Sequence, residues 1–191
     1  MQGSQLGEEY FATMHRDPGG TLLPLIRPYR ESDRAAIRSL FIRVNRELAP
    51  ANLRGAFVAY IERSLADEID RIPDYYAERG GAFFVAEEDA ALAGMFGLER
   101  AGPNSCELRR MYVEPALRRR GVARKMLAEA EAAAWRMGCA MMVLSTSELQ
   151  QAALALYRNA GYRLVGEEIA SKLSHKTVGG GLRRFWFEKR L

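Results

Sequence analysis

The chain has little of what builds metal sites or disulfide frameworks: 191 residues include only 2 cysteines, 2 histidines and 2 tryptophans. His15 and His175 cannot hold a metal by themselves, and no cluster of ligands joins them, so no metal is expected. Cys106 and Cys139 have no metal spacing and sit in strand-like surroundings, which reads as two buried thiols rather than a disulfide. No apolar run approaches the roughly 20 residues of a membrane span. The N-terminus lacks a signal-peptide pattern. The expectation is a cytoplasmic protein with no membrane partner. A Gly-x-Gly-x-x-Gly turn with its following acidic residue is also missing, which disfavours a dinucleotide-binding Rossmann domain. There is no internal repeat or low-complexity tract.

What is present suits a soluble enzyme. With 48% hydrophobic and 27% charged residues, one domain with a substantial core is expected over 21–191, preceded by a loose Gly-rich arm over 1–20. The net charge of +4 is modest. Much of the positive charge lies at Arg109, Arg110, Arg118, Arg119, Arg120, Arg124 and Lys125. A nucleic-acid surface would interleave aromatic residues for stacking, and only Tyr112 is near. No nucleic-acid partner is expected; a ligand carrying several phosphates accounts for the same charge.

The stretch Leu108 to Ala123, LRRMYVEPALRRRGVA, reads as a strand that runs into a phosphate cradle. Leu108, Met111 and Val113 fall among β-formers, Pro115 stops the ladder, and Gly121 opens a helical pattern. The first amides of that helix have no partners within it, and the macrodipole makes its N-terminus positive. Arg118, Arg119 and Arg120 add charge at the same place, and Gly121 lets the backbone approach a bulky group. A triple arginine is also what a solvated face looks like. The order of strand, Pro-bearing connection, arginines, glycine and amphipathic helix favours the cradle, with a pyrophosphate as its ligand.

The helix runs from about Val122 to Met137, with Val122, Met126, Leu127, Ala130, Ala133, Ala134 and Met137 on one apolar stripe and Gly138 as its stop. Cys139 to Leu144 then reads as a buried strand, ended by Ser145, Thr146 and Ser147. Leu149 to Ala160 is a further helix closed by Gly161, on which Gln150, Ala153 and Tyr157 share a stripe.

Earlier in the chain, Thr21 to Pro28 reads as the first strand, and Asp33 caps a helix from Arg34 to about Leu48. A second helix spans about Asn52 to Ala66, reaching toward Asp70. Ala82 to Glu88 and Leu92 to Arg100 form a hairpin. Tyr162 to Ile169 and Leu182 to Arg190 are the last strands, joined by the flexible loop Ser171 to Gly181.

The arrangement resembles the GNAT acetyltransferase superfamily. Its acyl-CoA motif, Gln/Arg-x-x-Gly-x-Gly/Ala, stands here as Arg118-Arg119-Arg120-Gly121-Val122-Ala123. The preceding strand ends in Met111-Tyr112-Val113-Glu114-Pro115, as in that family. The later motif, Asn-x-x-Ala-x-x-Leu-Tyr followed by Gly-Phe, is matched by Gln150, Ala153, Leu156, Tyr157, Gly161 and Tyr162. Gln150 in place of Asn keeps the amide, and Tyr162 in place of Phe keeps the ring. The string from Leu144 to Tyr157 also resembles the camello-like branch, whose hydrophobic membrane segment is missing here.

The resemblance implies an α/β (α+β) fold with a central mixed, mostly antiparallel seven-stranded sheet flanked by about four helices. It implies acetyl transfer from acetyl-CoA to a primary amine of a small molecule or peptide by direct attack. The acyl-CoA would lie on Met111, Tyr112, Val113, Arg118, Arg119, Arg120, Gly121, Val122, Ala123, Arg124, Gln150 and Tyr157, with backbone groups of Met111 to Val113 polarising the carbonyl. Tyr157 would be the general acid, against the plainer reading of a helix tyrosine half in the core. Glu107 is the candidate base or a surface-facing strand residue, and Tyr112 lines the acceptor side or only packs. The acceptor would be shaped by about Ala49 to Gly81 and Gly166 to Gly181. There Asp67, Glu68, Asp70, Asp74 and Glu78 either welcome a cationic amine or form a solvated helix face. The alternative function is an acyl-CoA-binding sensor without turnover. A homodimer is left open.

Overall fold

The structure is a computed structural model and describes residues 23–191. The arm over 1–20 and His15 lie outside the described residues. A seven-stranded sheet runs in the order β1-β2-β3-β4-β5-β7-β6. Its strands are β1 (Leu25–Pro28), β2 (Ala82–Glu88), β3 (Ala91–Gly102), β4 (Ser105–Val113), β5 (Met141–Ser147), β6 (Arg163–Ala170) and β7 (Leu182–Arg190). Only β4 and β5 pair in parallel; every other neighbour is antiparallel. The helices are α1 (Arg34–Leu48), α2 (Arg54–Asp67), the single short α3 (Ile72–Ala77), α4 (Val122–Arg136) and α5 (Gln151–Asn159).

The parallel pair needs a crossover, and α4 supplies it. Val122, Met126, Leu127, Ala130, Ala133 and Ala134 are its buried positions, the stripe read from the sequence. Small residues dominate that stripe and let α4 lie close on the sheet. Gly94 of β3 does the same from below, since a Cβ there would stand 2.7 Å from Met126 Sδ and 2.8 Å from the Tyr112 carbonyl oxygen. This face also carries α5. The opposite face holds α1, α2 and α3 around Ile37, Phe41, Ile61, Ile69, Tyr75 and Met95.

Several sequence expectations are corrected. Cys106 and Cys139 are joined as a disulfide, with Cα atoms 6.0 Å apart, rather than standing as separate thiols. The parallel pairing of β4 and β5 places Met142 beside Cys106 and so brings the approach to β5 against β4. Ser145, Thr146 and Ser147 do not end β5. They continue it, because Trp186, Phe185 and Arg184 of β7 pair with them. The last helix therefore begins at Gln151 rather than Leu149.

Candidate active site

β4 and β5 stay paired only from Ser105–Met141 to Leu108–Leu144. Beyond that point they part, and a cleft opens between the C-terminal half of β4 and the end of β5. Met111, Tyr112, Gln150 and Tyr157 line it, together with Glu107 and Lys176. Strands that splay leave backbone donors and acceptors without ladder partners, which is what an extended amide-bearing ligand needs.

The start of α4 follows β4 in the chain, outside the residues that line the cleft. Gly121 stands at φ +81, a left-handed conformation that its missing Cβ permits, and Arg119 stands at φ +65. Among the described residues, the amides of Val122, Ala123 and Arg124 find no backbone acceptor. These unpartnered donors at a positive helix end fit the pyrophosphate of an acyl-CoA. Arg118 reaches Glu47 at 3.3 Å and Arg120 reaches Glu88 at 2.7 Å, all on exposed or rim positions. Such pairs contribute only about 0–1 kcal/mol each, so a multiply charged ligand could compete for the arginines.

The middle of the cleft is shaped by a bulge that sequence reading missed. Met95 pairs Tyr112 and Gly97 pairs Arg109, so Arg110 and Met111 together oppose Phe96. Arg110 stands at φ +53. A side chain in that region costs on the order of 1–3 kcal/mol and persists only where its surroundings hold it. Here they do. The bulge breaks the strand's alternation, so that Arg109 and Arg110 both donate to Glu68 Oε2, each at 2.6 Å. Tyr76 donates to Glu68 Oε1 at 2.7 Å, and Arg109 also reaches Glu99 Oε1 at 3.3 Å. Glu68 is fully buried. Burial alone would raise its pKa, but Arg110 and Arg109 outweigh burial and hold it at about 2.

The signal for this cluster lay in two glycines. A Cβ on Gly97 would run into the Tyr76 hydroxyl, so glycine is what lets Tyr76 reach Glu68. Gly94 clears the way for the bulged strand in the same fashion.

Tyr157 is buried at the cleft wall, packed 5.7 Å from the Tyr162 ring and 6.2 Å from Phe187. Burial raises its pKa, so the phenol keeps its proton at neutral pH. Gln150 precedes α5 and turns its side chain back toward β5, accepting from Thr146 Oγ1 at 2.9 Å. Gln150 and Tyr157 both line the cleft. Glu107 is partly buried and accepts from Lys176 Nζ at 2.8 Å, so it is not a solvent-facing strand residue. Tyr112 lines the cleft and also packs, its ring 5.9 Å from Phe41.

The acidic run near the second helix does not act as one patch. Asp67 pairs Arg63, Asp70 pairs Arg38 and Glu78 pairs Arg71, all on the exterior, while Glu68 turns inward to the arginines. None of the five carboxylates lines the cleft. The loop from Ser171 to Gly181 is not detached either. The His175 carbonyl accepts from Arg110 Nη2 at 2.6 Å, and Lys176 Nζ lies 2.5 Å from Glu99 Oε1 as well as beside Glu107.

Among the described residues there is no group of His, Cys, Asp and Glu that could hold a metal, and no helix is long and apolar enough to cross a membrane. Residues 46–162 match the model of the acetyltransferase (GNAT) family. The N-acetyltransferase YjgM of Escherichia coli is 29% identical over 142 residues, 73% of this chain and 81% of that one. Human N-acetyltransferase 8 is 30% identical over 114 residues, 56% of this chain, which spans 50% of that protein's length. In fold, the chain is similar to yncA of Salmonella typhimurium, solved with its cofactor acetyl-CoA. The TM-score is 0.66 at 21% identity, covering 88% of this chain and 94% of that one.

Proposed function

The chain belongs to the acetyltransferase (GNAT) family, and on that premise we propose that it moves an acetyl group from acetyl-CoA to the primary amine of a small molecule or peptide by direct attack. The observation that carries this reading is the cleft opened where β4 and β5 part, with a protonated Tyr157 in its wall and unpartnered amides at the start of α4, the helix that follows β4. Acetyl-CoA supplies the activated thioester.

In this reading Arg118, Arg119, Arg120, Gly121, Val122, Ala123 and Arg124 hold the pyrophosphate, through backbone donors first and guanidinium groups second. Backbone groups of Met111, Tyr112 and Val113 take the pantetheine arm and polarise the carbonyl, an oxyanion-type contribution. Gln150 supports the end of β5 at the cleft wall. Tyr157 donates a proton to the departing thiolate, and Glu107 takes one from the acceptor ammonium, directly or through water. Relatives named as N-acetyltransferases give the sensor alternative no support. Within the same reading the enzyme works in the cytoplasm, where burial of both sulfurs would keep reducing thiols from the Cys106–Cys139 bond.

The test is thiol release from acetyl-CoA across a panel of cationic, neutral and acidic amines, with the acetylated product identified by mass. Turnover of at least one amine, abolished by omitting enzyme, is the expected result. No release with any amine by a protein that binds CoA would instead favour a sensor.

A further inference from the structure

Lys176 brings a primary amine to the lining of the cleft. Its side chain comes from the loop between β6 and β7 and enters the cleft lined by Met111, Tyr112 and Tyr157. Its Nζ lies 2.8 Å from Glu107 Oε2 and 2.5 Å from Glu99 Oε1. A primary amine within hydrogen-bond reach of a carboxylate base is the pairing that nucleophilic attack requires. Gly179, Gly180 and Gly181 follow from three residues later, all with φ between +66 and +78.

We propose that Lys176 is an acetyl acceptor within the protein's own cleft, a self-modification site that rests on the reading of the cleft given above. Lys176 Nζ loses a proton to Glu107 and attacks the thioester carbonyl of the acyl-CoA. The new C–N bond forms, the C–S bond breaks, the thiolate leaves with a proton from Tyr157, and the nitrogen's second proton passes through water to restore the Tyr157 phenol. The product is a neutral amide. It can no longer pair with Glu99 and Glu107, two carboxylates in largely dry surroundings, so the loop's hold on the cleft is released. The protein's own lysine thus occupies the acceptor position until it is capped or displaced.

The experiment incubates the full chain with acetyl-CoA and no added amine, and follows each lysine by peptide mass spectrometry. Acetylation of Lys176 should saturate with acetyl-CoA, run at a rate independent of protein concentration, and outpace the exposed Lys172 by at least about tenfold. Glu107→Gln should slow it by about a hundredfold while leaving stabilisation by acetyl-CoA in place. Lys176→Arg keeps a charge for both carboxylates and should remove the modification without loss of that stabilisation. Lys176 reacting no faster than Lys172, or as fast in the unfolded chain, would overturn the proposal. Turnover of external amines with Lys176 untouched would overturn it and leave the acetyltransferase reading intact. Failure of both, with no stabilisation by acetyl-CoA, would sink the reading of the cleft itself.

Discussion

The Arg110 guanidinium meets the Glu68 carboxylate at 2.6 Å from a residue whose own backbone lies at φ +53. The contact and the strain belong together: the bulge points two consecutive arginines at one buried acid, and that acid holds the bulge. Met111, the next residue, lines the cleft. The carboxylate that shapes the site therefore never enters it.

Glu68→Gln would leave buried Arg110 with neutral partners only and Arg109 with Glu99 alone at 3.3 Å, and removing one member of a buried ion pair typically costs about 3–5 kcal/mol. The variant should melt well below wild type. The same pair sets an acid limit. Because the folded pKa of Glu68 is depressed to about 2, its contribution is fully present above the ordinary carboxylate range. It is lost as pH falls through that range toward about 2. Chemical denaturation at a series of acid pH values should show this loss in wild type and a flatter profile in Glu68→Gln. Matching profiles would mean that Glu68 is not the linked group.

Gly97→Ala tests the same cluster from β3. The added Cβ would collide with the Tyr76 hydroxyl and push it off Glu68. A loss of about 1–3 kcal/mol is expected for such overpacking. Combining it with Tyr76→Ala removes the hydroxyl and the ring carbons that clash, so Gly97→Ala should cost less on that background than in wild type. An equal cost on both backgrounds would place the strain elsewhere.

Much of the fold was legible because its signals are local. The β4-to-α4 passage, the small-residue stripe of α4 and the glycine stops at Gly138 and Gly161 each lie within one or two turns of sequence. What was not legible depends on distant partners. Glu68 finds Arg109 and Arg110 across 41 and 42 residues, so from sequence it looks like one more acid on a solvated helix. Lys176 sits in a stretch rich in turn residues, and nothing nearby in sequence signals that Glu99 and Glu107 hold it. Ser145 to Ser147 looked like a cap because β7, which keeps them in strand, comes almost 40 residues later. Of the cleft, Tyr157, Gln150 and Glu107 were legible, and the bulge beside them was not.

Tyr157→Phe keeps the ring against Tyr162 and Phe187 and removes only the hydroxyl. Affinity for acetyl-CoA should hold while turnover falls by roughly ten- to a thousandfold. Burial raises the pKa of this phenol, so the alkaline limb of the wild-type profile should not arise near the ordinary tyrosine range. Unchanged turnover, with chemistry shown to be rate-limiting, would reduce Tyr157 to a packing residue.

Calorimetric titration of acetyl-CoA into wild type and Gly121→Glu addresses the acyl-CoA cleft most directly. In wild type, saturable binding and a raised melting temperature are predicted, as for any ligand selective for the folded state. In Gly121→Glu, a side chain forced into φ +81 and a negative charge at the unpartnered amides should abolish both. Absence of heat and of stabilisation in wild type, or equal binding by the two proteins, would contradict the account.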